Sequence, residues 1–184
     1  MLGLEALNVQ AGERVLEIGL GAGRALRVLA KKVGPAGRVY GLDIAEGMLA
    51  ATRSRLTKAG QLAHIRLIQG DGACLPLAAS IVDAVFMSFV LELFDTPEIP
   101  QVLAECRRVL RSGGRLGNVS LFLPERPGLM VVLYEGGHRL FPRLLDCRPI
   151  PVPHILGKAG FSDLTVQKTS VCGLPIVAVV GTTP

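Results

Sequence analysis

The stretch "VLEIGLGAGRAL", Val15 to Leu26, constrains this chain more than any other. A short apolar run ends in three closely spaced glycines and passes directly into helical periodicity. That order is a strand, a tight turn and a helix whose free N–H groups face the turn, the arrangement nucleotide-like ligands use. Short apolar runs then alternate with helical patterns along the chain. Strands are expected over 14–20, 38–44, 65–70, 82–89 and 115–122, and helices over 23–33, 46–59 and 96–110, the last ended by "RSGG". Such alternation predicts a parallel sheet with helices on both faces, and a ligand crevice at the carboxyl ends of the strands. The last third breaks the rhythm. Gly128 to Leu145 reads as an apolar helix, "RPIPVP" (148–153) as a rigid connector and His154 to Ala159 as a short helix. "DLTVQKTSV" and "LPIVAVVGTT" follow too closely for a parallel crossover, so they form an antiparallel hairpin near Gly173.

The turn itself discriminates between ligands. Dinucleotide turns are spaced GxGxxG, whereas Gly19, Gly21 and Gly23 are spaced GxGxG and Arg24 stands where the third glycine of that pattern falls. Glu17, two residues before Gly19, would repel a pyrophosphate and favour an ammonium group. Its alternative role is a hydrogen bond to local backbone. Asp43 ends the second strand, where a carboxylate can accept both ribose hydroxyls or cap the helix beginning at Glu46. Asp71, in "QGDGACLP", can accept from an adenine amine, although Gly-Asp is also ordinary turn chemistry. Together, three acids at the ends of three successive strands outline a site for a nucleoside carrying an amine.

Bulk properties narrow the remaining choices. A chain of 184 residues suits a single domain spanning 1–184. Its charged content, 19%, is below the usual quarter, and its mean hydropathy is +0.45. A large buried sheet or a greasy binding surface would each account for that. The net charge of +5 is compatible with ordinary surface charge or with an anionic ligand or membrane surface. The four cysteines form no CxxC pair and no cluster with histidine, so neither a metal site nor a disulfide framework is expected. Free thiols and the absence of a signal-peptide pattern at "MLGLEALNVQ" point to a cytoplasmic protein.

With "VLEIGLGAG" (15–23), "VYGLDIAEGML" (39–49), "IQGDGACLPLAASIVDAVF" (68–86) and "VLAECRRVLRSGGRL" (102–116) in this order, the chain resembles the class I S-adenosylmethionine-dependent methyltransferases. Within them it looks most like the ubiquinone/menaquinone-biosynthesis C-methyltransferase group, which "LYEGGHRLFPRLLDCRPIPV" and "GLPIVAVV" also resemble. The resemblance implies a Rossmann-like α/β three-layer sandwich, with a seven-stranded, mostly parallel sheet and an antiparallel last strand. It implies S-adenosyl-L-methionine as cofactor. Glu17, Gly19 and Gly21 would hold the methionine part, and Gly23 would allow close approach at the helix start. Asp43 would take the ribose and Ile44 would pack on adenine. Asp71 would accept from the adenine amine, Gly72 or Ala73 would add a backbone contact, and Ser88 would lie near the methyl group.

Two departures from the family pattern stand out. Leu20 replaces a small residue or Cys, and only about a dozen residues precede the first strand where relatives carry covering helices. An open site, a partner subunit, a membrane or the 128–145 segment would then take the place of that cover. The expected acceptor is a small-molecule or lipid-like compound, with a quinol favoured. A phosphatidylethanolamine-type phospholipid, a non-catalytic cofactor-binding domain and a nucleotide-dependent oxidoreductase are the alternatives. Glu92, Asp95, Tyr134 and His138 are candidate general bases, needed only if the acceptor must lose a proton. No Asn/Asp-Pro-Pro-Tyr/Phe motif follows the fourth strand, and no aromatic-rich basic patch suggests nucleic acid. Peripheral membrane contact, through the apolar 128–145 segment, and homo-oligomerisation are left open.

Overall fold

A computed structural model describes residues 2–122, 149–171 and 174–184. Seven strands form one sheet: β1 Arg14–Ile18, β2 Arg38–Asp43, β3 Ile65–Gln69, β4 Val82–Ser88, β5 Leu110–Leu121, β6 Ser162–Val171 and β7 Leu174–Thr182. Their order is β3-β2-β1-β4-β5-β7-β6. β7 runs antiparallel to both β5 and β6, and the pairings among β1 to β5 are parallel. The expected Rossmann-like architecture is therefore present, including the terminal hairpin. The strand order reverses between β1 and β4, so the crevice opens where β1 ends in the glycine turn.

Side-chain alternation along β1 assigns the two faces of the sheet. Leu16 and Ile18 join a core with helices α4 (Ile99–Val109) and α5 (Val152–Lys158), through Val102, Leu103, Cys106, Val152 and Leu156. Val15 joins the opposite core, with α2 (Arg24–Val33) and α3 (Glu46–Lys58), through Leu26, Leu29, Leu49 and Leu56. The period of two therefore turns Glu17 toward the α2 face. A short helix not foreseen from the sequence, α1 (Leu2–Ala6), also packs on that face, where Leu4 and Leu7 are buried. At five residues it is too short to leave a periodic signal.

Several expected boundaries shift for local reasons. β1 stops at Ile18 because Gly19 turns the chain with φ +76°. α4 starts at Ile99, with Pro100 in its first turn where the missing N–H breaks no helical bond. "RSGG" does not separate helix from strand: it is a wide bulge inside β5. Val82 pairs with Leu110 but Ala84 pairs with Arg115, so four residues of β5 stand opposite Asp83 alone, three more than a regular ladder has. Asp83 anchors this bulge, pairing with Arg111 at 2.7 Å while accepting the Arg14 N–H at 2.6 Å. "RPIPVP" is only partly a connector, since α5 begins at Val152. The 128–145 segment, with Tyr134 and His138, lies outside the described residues, as do Cys147 and Cys172.

Candidate cofactor and acceptor site

The turn after β1 separates two cavities at the carboxyl ends of the strands. The larger, of about 650 Å³, is bordered by Asp43, Ile44, Met48, Asp71, Gly72 and Phe94. The smaller, of about 370 Å³, is bordered by Leu4, Glu17, Leu20, Arg24, Phe86, Val119 and Ile176. Gly19, Gly21 and Ser88 border both, so one elongated ligand can bend around the turn from one to the other. The described structure thus brings nine of the ten expected cofactor residues to the site, or, for Gly23, to the helix start beside it. Ala73 is the tenth. It does not line either cavity, and its N–H is taken by Asp71 Oδ1 at 2.8 Å.

The backbone of the turn is held from β2. Gly19 N–H donates to the Leu42 carbonyl at 2.8 Å, and Leu20 N–H donates to Asp43 Oδ2 at 3.0 Å. A Cβ on Gly19 would sit 3.0 Å from Val90 Cγ1. With its positive φ, this leaves glycine as the residue that fits there. Gly23 also has positive φ, and it meets the protein rather than the cavity: its Cβ would lie 3.1 Å from Thr52 Cγ2 of α3. Above Gly21 the space is open, with nothing within 4 Å of an added Cβ. That opening is where a ligand can approach the backbone.

Asp43 does more than the sequence suggested. Its Oδ1 accepts from Ala45 N–H at 2.9 Å, so it ties the residue before α3 to the glycine turn without capping the helix itself. Each Asp43 oxygen takes one N–H and keeps a further lone-pair direction. Ile44 beside it is 69% exposed, an unusual position for a large apolar side chain, and it borders the larger cavity. A flat apolar ring would cover it.

Glu17 is the electrostatic centre of the smaller cavity. It is 3% exposed, and its Oε2 has no hydrogen-bond partner. Burial first, and then the nearby Asp43 charge, push its pKa up to about 8. A buried carboxyl oxygen without a partner is costly unless a ligand completes it. An ammonium group supplies the missing donors and favours the ionised form. This orphan oxygen, the open backbone at Gly21 and the exposed Ile44 fit the amine, chain and base of S-adenosylmethionine.

Other residues carried no sequence signal. Met48, Phe89, Val90, Leu93, Phe94 and Glu98 also border the larger cavity. Phe89 adopts φ +56°, rare for an aromatic residue, while its N–H donates to the Val119 carbonyl at 2.8 Å. This backbone strain sits immediately after Ser88, where strained residues often mark a working site. Gly72 fits against Phe94, whose Cζ would lie 2.9 Å from an added Cβ.

Of the candidate bases, Glu92 is buried and Asp95 is exposed. Glu92 is 1% exposed, on a short turn (Leu91–Leu93), with Oε2 accepting from Ser120 Oγ at 3.0 Å. Ser120 in turn accepts from Asn118 Nδ2 at 2.6 Å. Both β5 residues share the face of Leu116, so Glu92 points into the sheet and borders neither cavity. Burial raises its pKa, opposed by its own and the Leu121 backbone N–H groups and by Ser120. Asp95 is exposed and also borders neither cavity; its carbonyl accepts from Glu98 and Ile99 at the start of α4.

A family model described as a methyltransferase domain matches residues 15–114. The ubiquinone/menaquinone biosynthesis C-methyltransferase UbiE of Legionella pneumophila (strain Lens) is 32% identical over 141 residues, 77% of this chain and 56% of that protein. The demethylmenaquinone methyltransferase of Listeria monocytogenes is 35% identical over 125 residues, 68% of this chain and 52% of that protein. The chain spans about half the length of the curated relatives it matches. Among solved structures, a SAM-dependent methyltransferase from Aquifex aeolicus superposes with a TM-score of 0.72 at 25% identity, covering 98% of this chain and 87% of that one.

Proposed function

Because this chain belongs to the methyltransferase-domain family and its cofactor is S-adenosylmethionine, we propose that it transfers a methyl group to a small, largely apolar acceptor of quinol type. The observation that carries this reading is the pair of cavities meeting at Gly19, Gly21 and Ser88. The larger one receives the adenosine: Asp43 takes the ribose, Ile44 the face of the base, and Asp71 with Gly72 its edge. Glu17 receives the ammonium from the side of the smaller cavity, and Ser88 lies near the transferred methyl. The rest of the smaller cavity, walled by Leu4, Phe86, Val119 and Ile176, receives the acceptor.

When bound, S-adenosylmethionine supplies a methyl group on a sulfonium whose leaving group is already activated. The residues of the chain therefore have to align the acceptor and exclude water. The four apolar side chains do both for a flat ring, and Arg24 at the border of the same cavity is the charged group beside them. Methylating a quinol also releases one proton from the acceptor, and since among the described residues neither Glu92 nor Asp95 borders this wall, that proton leaves to water and not to either of these carboxylates. The curated names of the relatives support the quinone class for the same reason: such rings are flat and apolar. No helix among the described residues is long and apolar enough to cross a membrane.

The test is turnover against prenylated quinols, phosphatidylethanolamine and small phenols, with Val119→Phe beside the wild type. Quinol turnover is expected, with Val119→Phe losing it about a hundredfold because the added ring fills the acceptor wall. Binding of S-adenosylhomocysteine should stay within about threefold, since Val119 lies away from the adenosine cavity. Turnover of the phospholipid alone would replace the quinol reading. Failure with every acceptor would favour a binding domain without catalysis.

A further inference from the structure

Three side chains of α4, Gln101, Glu105 and Arg108, fall on one stripe of the helix at spacings of four and three. The apolar face of α4, with Ile99, Val102, Leu103, Cys106 and Val109, is buried against the sheet, so this stripe is not needed to dock the helix. All three residues reach instead to the loop after β3 that carries Asp71. Arg108 donates to the Leu77 carbonyl at 2.8 Å and to the Leu75 carbonyl at 3.0 Å. It also grips Glu105 through two bonds, of 2.6 and 2.8 Å. Glu105 Oε2 in turn accepts the Leu75 N–H at 2.7 Å. Gln101 Nε2 donates to the Ala73 carbonyl at 3.0 Å. The Ala73 N–H is the group that holds Asp71 Oδ1. Ala73 is thus held on its carbonyl by Gln101 of α4 and on its N–H by the carboxylate at the edge of the larger cavity, while Glu105 and Arg108 hold the same loop at Leu75 and Leu77.

We propose that Gln101, Glu105 and Arg108 form a clamp that sets the orientation of Asp71 and thereby the selection of adenine over other bases. This inference rests on the reading of Asp71 as acceptor of the adenine amine. The three are positioning residues: none borders either cavity, and each acts through the loop. The guanidinium is suited to the task because its planar fork serves two carbonyls and a carboxylate at once, which an ammonium cannot. Gln101 fixes the end of the loop nearest Asp71, and Arg108 with Glu105 fixes the end leading to β4.

Calorimetry on the full chain with S-adenosylhomocysteine and S-inosylhomocysteine tests the clamp, because the second ligand replaces the adenine amine by a carbonyl that Asp71 repels. The wild type should prefer the adenine ligand by about tenfold to a hundredfold, the range for a hydrogen bond to a charged acceptor. Gln101→Ala should shrink that ratio by about threefold or more, and Arg108→Ala by about tenfold. Arg108→Lys should not restore it. Gln101 is exposed and makes one side-chain bond to the loop, so its variant decides the matter if Arg108→Ala does not fold. An unchanged ratio in the folded variants, even with a lowered melting temperature, would overturn the clamp. Asp71→Asn separates the two levels. If it leaves the ratio unchanged, the reading of Asp71 fails and the clamp with it. If it collapses the ratio while the α4 variants do not, the clamp alone fails.

Discussion

Replacing Glu17 by glutamine should raise the stability of the free protein at pH 8 and weaken cofactor binding at the same time. The carboxyl is 3% exposed and has an oxygen without a partner. Its folded pKa of about 8 lies above the 4.5 of an ordinary glutamate carboxyl. The protonated form is thus preferred in the fold, and the stability tied to it is fully present below the lower value. That stability is lost as pH rises from 4.5 through about 8, because the unfolded chain ionises first. Glutamine is a neutral isostere and loses nothing over this window. The melting temperature of Glu17→Gln should therefore exceed the wild type by several degrees at pH 8, at about 2–4 °C per kcal/mol for a chain of this size. The difference should shrink toward pH 5.

Binding should move in the opposite direction. The ammonium of S-adenosylhomocysteine loses its buried charge partner, which costs roughly 2–5 kcal/mol, or at least about thirtyfold in affinity. Adenosine, which has no ammonium, should bind the variant nearly as well as the wild type. Because binding ionises Glu17, the wild type should release close to one proton per ligand near pH 7, read from calorimetry in buffers of different ionisation heat. Glu17→Gln should release none. Equal weakening of adenosine and S-adenosylhomocysteine would remove Glu17 from the ammonium site.

Asp43→Ala should carry a different signature. Its carboxylate joins Leu20 N–H to Ala45 N–H and, on the present reading, holds the ribose. Losing two charge-assisted bonds should destabilise the fold by about 1–3 kcal/mol. Losing the ribose contact as well should weaken adenosine and S-adenosylhomocysteine alike, on the order of a hundredfold. Asp43→Asn keeps one acceptor oxygen and should fall between. The pair of variants divides the ligand: Glu17 reports on its amino-acid end, Asp43 on its nucleoside end. If Asp43→Ala left adenosine affinity intact, the acid would be a turn anchor only.

The sheet and its glycine turn were readable from the sequence because their signals are local. The central strands β1, β2 and β4 are short, mainly buried runs, and the closeness of the last two strands left only an antiparallel hairpin. Three acids at strand ends were visible for the same reason. What could not be read depends on partners distant in the chain. Glu92 is buried with its side-chain partner Ser120 28 residues away, so nothing near it in the chain distinguishes it from a surface acid. The bulge at 111–114 is created by Asp83 drawing Arg111 across the sheet. Phe94 enters the cavity wall by packing against Gly72, a neighbour only after folding. The polar stripe of α4 gave no sequence signal of its own, because its partners lie in a loop about 30 residues earlier.

On the proposed reading, the GxGxG turn with Glu17 holds an amine-bearing nucleoside and not a pyrophosphate. Calorimetric titration of the wild-type chain with S-adenosylhomocysteine and with NAD, side by side at pH 7, tests it most directly. Saturable binding of S-adenosylhomocysteine at one site with release of a proton is expected, with no measurable binding of NAD. Binding of NAD in the absence of any binding of S-adenosylhomocysteine would contradict it.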